Sequence, residues 1–189
     1  MSAPPAPPLV LASTSPQRRA ILAQLGVPFE VVAPDFHEAP GTTPLERAVG
    51  KARSLRVDER PVVGVDTEVL LDGDLLGKPA TAAEAEAMLD RLAGRTHEVV
   101  SGLCVRTPAW EEQRVETTRV TFRPLTPREL GIYVAEGEWE GRAGGYAIQG
   151  LGAALVERIE GDYLNVVGLP VAALVEVLAA RFPGVYGFG

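Results

Sequence analysis

Leu9-Val10-Leu11-Ala12-Ser13-Thr14-Ser15-Pro16-Gln17-Arg18-Arg19-Ala20-Ile21-Leu22-Ala23-Gln24-Leu25-Gly26 decides the fold class. Its first four residues are apolar and short enough for a buried strand. Ser15 then stands where a helix N-cap is needed, Pro16 takes the first helical position, and Gly26 stops the helix after Leu25. A buried strand running straight into a helix is the opening half of an α/β unit.

Outward from that unit, strand and helix signals continue to the far end. Residues 29–33 predict a second strand. Thr43-Pro44-Leu45-Glu46 is a capping box that opens a helix to about Leu55. Residues 61–65 form an apolar strand expected to end on Asp66. A hairpin follows over residues 68–76, turning at Asp72-Gly73-Asp74. Thr81-Ala82-Ala83-Glu84 is a further capping box, for a helix closing at Gly94. Residues 97–107 and 113–123 predict two long strands, and a box at Thr126-Pro127-Arg128-Glu129 starts a helix ending near Gly137. The glycine-rich residues 142–152 predict irregular backbone. Strands are expected over residues 154–160 and 163–167, and a closing helix over 170–181. Units of βα type beside adjacent long strands imply an α/β fold with a sheet of mixed direction, rather than a doubly wound one. No internal repeat or low-complexity linker interrupts the pattern. Residues 1–8 are expected to be a flexible tail and residues 9–189 one domain.

Composition narrows the function classes. The 189 residues are 46% hydrophobic and 23% charged, an ordinary globular balance with ample core material. The formal charge of −7 argues against a long nucleic-acid partner, which requires a basic footprint. A small polyanion can still bind where a few cations converge. Cys104 is the only cysteine and lies in an apolar run, so a core role is expected and a cysteine zinc site is excluded. No window approaches the roughly 20 apolar residues of a membrane span. The proline-broken N-terminus lacks the basic region of a signal peptide, so a cytoplasmic location is expected.

Three stretches carry candidate chemistry. Ser13-Thr14-Ser15-Pro16-Gln17-Arg18-Arg19 sets hydroxyls, a helix N-terminus and two arginines together, which suits a phosphate and equally suits a well-capped helix. Asp66-Thr67 closes an apolar run, where an aspartate serves as metal ligand, base or simple turn former. Glu38 is a second candidate carboxylate. Leu76-Gly77-Lys78-Pro79 offers a lysine on constrained backbone, for phosphate or for solvent. In the glycine-rich segment, Gln149 has both a donor and an acceptor, as reading a base edge requires. His37 and His97 lack partner spacing for zinc and are expected to be exposed or satisfied.

Together these segments resemble the Maf family of nucleotide pyrophosphatases. Leu11-Ala12-Ser13-Thr14-Ser15-Pro16-Gln17-Arg18-Arg19 is similar to the family's LASxSPRR opening, Gly64-Val65-Asp66-Thr67 to its GADT, and Leu76-Gly77-Lys78-Pro79 to its LGKP. Residues 92–99 resemble LSGRTHEV, residues 143–150 AGAYGIQG, and residues 167–170 VGLP, all in order over residues 9–178. The resemblance implies an elongated mixed sheet flanked by helices, two lobes with a cleft, and a likeness to inosine triphosphatases. It implies hydrolysis of nucleoside triphosphates, modified ones included, to monophosphate and pyrophosphate by a homodimer using Mg²⁺ or Mn²⁺. A non-catalytic nucleotide sensor acting in septum formation is the alternative. Asp66 falls on the catalytic aspartate, Asp66 and Glu38 on the metal carboxylates, and Arg18, Lys51 and Lys78 on phosphate contacts. Ser13, Ser15, Gln17, Thr67 and Gln149 complete the implied substrate-binding set. Thr67 and Gln149 agree with the dTTP/UTP branch, whereas Gln17 stands where that branch has arginine.

Overall fold

The computed structural model describes residues 6–56 and 58–189. Residues 1–5 of the expected tail lie outside that range. Residues 6–8 have no regular structure, and the Pro7 carbonyl accepts a hydrogen bond from the Tyr186 hydroxyl at 3.0 Å. Among the described residues seven strands make one sheet of mixed direction with helices around it. β1 (Leu9–Ala12) lies parallel to both β2 (Phe29–Val32) and β3 (Val62–Leu71). The order continues through β5 (Thr96–Arg106), β6 (Glu111–Phe122) and β7 (Val156–Glu160), with β6 and β7 antiparallel. β4 (Asp74–Leu76) pairs antiparallel with β3 through a turn in which Asp72 and Gly73 take φ of 53° and 87°, as a two-residue primed turn requires.

Among the described residues six α-helices accompany the sheet. α1 (Pro16–Gln24) begins on Ser15, whose hydroxyl accepts from the Arg18 N–H. α2 (Pro44–Arg53) and α4 (Pro127–Ala135) have complete capping boxes at Thr43/Glu46 and Thr126/Glu129. α3 (Ala82–Leu92) has half of one: Thr81 accepts from the Glu84 N–H, while the Glu84 carboxylate accepts from Ala80 instead. α5 (Tyr163–Val167) and α6 (Val171–Arg181) close the chain.

The chain forms two compact units. The first takes the chain up to Asp66 together with Ser101–Glu116 and Gly168–Gly189; the second takes Thr67–Val100 and Thr117–Val167. In the first, Val10, Ala12, Ala48, Ala52, Val62 and Cys104 form a core of mostly small residues, and the Cys104 thiol is pushed up to about 12 by burial. In the second, Val69, Leu89, Leu92, Phe122, Leu130 and Tyr146 belong to a larger core.

Two expectations are corrected. β3 does not end on Asp66 but continues to Leu71, which makes Asp66 a mid-strand residue. Residues 163–167 are helical, not a strand. The irregular segment contains two 3₁₀ turns, Ala143–Gly145 and Leu151–Leu155, and the second delays β7 to Val156.

Candidate active site

Asp66 sits on β3, 8% exposed, with a cation on each carboxylate oxygen. Arg47 Nε donates to Oδ2 at 2.6 Å, and Lys51 Nζ donates to Oδ1 at 2.5 Å. Lys51 also reaches Glu38 Oε1 at 2.7 Å, so one ammonium bridges the two carboxylates. Packing explains the closeness. α2 lies against β3 at Gly64, where an added Cβ would come within 2.2 Å of the Ala48 carbonyl and 2.9 Å of the Ala52 Cβ. Small residues on both elements therefore permit contact at backbone distance. Arg47 and Lys51 lie four apart on α2, one turn, so they meet the same stretch of strand. Two residues before Glu38, the Phe36 ring covers Gly50 of α2 so closely that a Cβ there would lie 2.0 Å from it.

The β1–α1 junction supplies the rest of this unit's candidate residues. Ser13 is buried, and its hydroxyl accepts from the Ser15 N–H at 3.1 Å and from Arg18 Nη1 at 3.2 Å. Arg18 Nε donates to the Gly168 carbonyl at 2.8 Å. Burial lowers the Arg18 pKa, and the negative charges of Asp66 and Glu38 oppose that shift; the group stays cationic, since arginine starts far above neutrality. Arg19 is exposed. Ser15 donates to Gln17 Oε1 at 3.1 Å while capping α1. Ser15 thus caps α1, and Arg18 is held against Ser13 and Gly168. Arg18, Arg47 and Lys51 face Asp66 and Glu38, giving a local excess of one positive charge in an acidic protein.

Thr67, Lys78 and Gln149 belong to the second unit. Thr67 is the next residue of β3. Lys78 and Gln149 are exposed. The backbone beside Lys78 is tied to the glycine-rich segment, because Gly144 N–H donates to the Gly77 carbonyl at 3.1 Å. The far side of Gln149 is tied as well: Glu138 accepts from the N–H groups of Leu151 and Gly152 at 2.8 and 3.1 Å. His97 is buried, with Nε2 at 2.8 Å from the Tyr146 hydroxyl, so it is a core histidine on that side. Arg47 was not among the residues expected from sequence. Its spacing from Lys51 was the available signal, but a basic pair one turn apart ordinarily marks a solvated helix face.

Two carboxylates, Asp66 on β3 and Glu38 in the loop before α2, thus stand among three cations in one unit of an α/β protein. The chain belongs to the Maf family: a family model described as Maf-like protein matches residues 8–181. It is similar to the dTTP/UTP pyrophosphatase of Deinococcus radiodurans, 47% identical over all of both chains. The proteins of that name from Nitratidesulfovibrio vulgaris and Thermus thermophilus are 49% and 44% identical, over 92% and 93% of this chain and 88% and 95% of theirs. The solved Ham1 protein of Staphylococcus aureus matches 61% of this chain and 71% of its own, at 19% identity and a TM-score of 0.44.

Proposed function

We propose that this protein is a nucleoside triphosphate pyrophosphatase that prefers UTP and dTTP and releases the monophosphate and pyrophosphate. The observation that carries the reading is the Asp66–Lys51–Glu38 bridge with Arg47 and Arg18 around it, in a chain 44–49% identical, nearly end to end, to proteins named for that activity. A triphosphate repels an incoming water, so its charge must be neutralised and the water positioned.

Asp66 and Glu38 fit a divalent cation. The donors are oxygen only, and one ammonium already sits against both carboxylates. Mg²⁺ is commonly held by one or two carboxylates plus substrate phosphates, a number that Asp66 and Glu38 supply. Such an ion, Mg²⁺ or Mn²⁺, supplies Lewis acidity that neutralises phosphoryl charge and eases deprotonation of water. The remaining steps fall to the chain. Of Asp66 and Glu38, one orients the water and takes its proton. The water oxygen bonds to the α-phosphorus as the bond to the bridging oxygen breaks, and pyrophosphate leaves with the β and γ groups. Arg18 and Lys51 neutralise that leaving group, with Ser13 and Ser15 donating hydroxyls. By the family pattern Lys78 also contacts phosphate, Gln17 and Gln149 read the base, and Thr67 belongs to the uracil and thymine set.

The family resemblance adds a cytoplasmic homodimer without nucleic-acid partners; sedimentation of the purified protein tests the dimer. No helix among the described residues is long and apolar enough to cross a membrane. Phosphorus NMR of UTP turnover tests the reaction. UMP and pyrophosphate are expected with Mg²⁺, and no turnover with a chelator. UDP and orthophosphate as first products would overturn the reading.

A further inference from the structure

We propose that Arg47 guards Asp66 against free divalent cations, so that the metal enters only together with the triphosphate. The proposal rests on the metal reading of Asp66 and Glu38 given above. Arg47 holds Asp66 Oδ2 at 2.6 Å through Nε and reaches the Thr42 carbonyl through Nη1, so its guanidinium spans the strand and the loop before α2. Lys51 holds the other oxygen. Each Asp66 oxygen carries a charged donor, so a cation binding there must displace that donor or crowd against its positive charge, and the side chains of Arg47, Asp66 and Lys51 are only 12–13% exposed. Removing such a pair from water is costly, and separating it leaves both charges poorly solvated. A free metal ion must bear that cost alone.

A triphosphate changes the balance. Its oxygens accept from guanidinium and ammonium groups at least as well as a carboxylate does. Arg47 and Lys51 can turn from Asp66 to phosphate as the metal takes their place, and each exchange leaves every charge paired. Metal and triphosphate then bind with positive coupling, which linkage makes reciprocal. Arginine suits the task because its planar fork keeps the Thr42 contact while another nitrogen changes partner, and a lysine has no such fork.

Mn²⁺ titrations of the purified full-length chain, followed by the EPR signal of the free ion, test this. Without nucleotide, Arg47→Met should bind Mn²⁺ about tenfold tighter than the native chain, a typical size for coupling between sites. Arg47→Lys should fall between them, and adding Asp66→Asn to Arg47→Met should abolish the gain. With α,β-imido-UTP present, the native chain and Arg47→Met should differ little. Equal Mn²⁺ affinity of both proteins without nucleotide would overturn the proposal, as would a gain that survives Asp66→Asn. If Arg47→Met does not fold, the native chain against Arg47→Lys makes the same comparison. Failure of the metal reading has its own signature: Asp66→Asn alone would leave Mn²⁺ binding with the analogue unchanged, and the proposal would fall with it.

Discussion

Gln17 is where the chain departs from the pattern of the dTTP/UTP branch that it resembles. Its side-chain oxygen accepts from Ser15 at 3.1 Å, within the first turn of α1. An arginine here would bring a fixed charge and a rigid set of donors suited to the carbonyl oxygens of uracil or thymine. Glutamine is uncharged and presents either a donor or an acceptor, so it discriminates less. Gln17→Arg should raise the kcat/KM ratio of UTP and dTTP over CTP and GTP about tenfold, the scale of one hydrogen bond made or left unpaired. An unchanged ratio would remove Gln17 from the base contacts. For Asp66→Asn, loss of the charge proposed to hold the metal or take the proton should lower kcat by roughly 10² or more. The shape is preserved, so circular dichroism should remain native. Near-normal turnover by that variant would show that Asp66 is not catalytic.

At the scale of elements, the contact of α2 with β3 gives the site its precision. Gly64→Ala would drive a Cβ to 2.2 Å from the Ala48 carbonyl, a backbone atom that cannot swing aside. Overpacking of this kind costs about 1–3 kcal/mol, and the helix must lift from the strand, carrying Arg47 and Lys51 away from Asp66. Thermal unfolding should fall by several degrees, with kcat falling as well; a fully active, equally stable variant would refute this view of the packing. The helices were legible because their caps are local: Ser15, Thr43, Thr81 and Thr126 all cap as their sequence demands. Nonlocal forces hid the rest. Tyr163-Leu164-Asn165-Val166-Val167 has strand propensity, yet it coils. The Asp162 carboxylate accepts from the Leu164 N–H, and buried Asn165 donates to the Val99 carbonyl and the Thr118 hydroxyl. Asp66 looked like a strand end because polar residues follow it, but pairing of Val69, Leu70 and Leu71 with β4 extends β3 beyond it. Arg47 escaped notice because a helix face becomes a site wall only through the partner it packs on.

Stability of the whole molecule should depend on pH through His97. Its ring is buried against Phe122 and Tyr146, edge to face, with centroids 5.1 and 5.4 Å away. Nε2 bonds the Tyr146 hydroxyl, and Nδ1 has no partner among the described residues. Burial lowers the imidazole pKa to about 4 in the folded protein, against about 6.5 in an unfolded chain. The unfolded state therefore binds a proton first as pH falls. The stability tied to neutral His97 is complete above pH 6.5, declines as pH drops from there towards 4, and is gone below the folded pKa. Between pH 7 and pH 5 the loss should be about 2 kcal/mol, as the two pKa values require. The other histidine, His37, is exposed. Urea unfolding at the two pH values measures the loss. His97→Gln keeps a polar group for Tyr146 but has nothing to protonate, so its stability should change far less across the same interval. It will be the less stable protein at pH 7, since an amide fills the aromatic pocket poorly, and the two stabilities should converge towards pH 5. Parallel pH dependences in the two proteins would show that the acid sensitivity comes from elsewhere and that His97 is not held neutral by its burial.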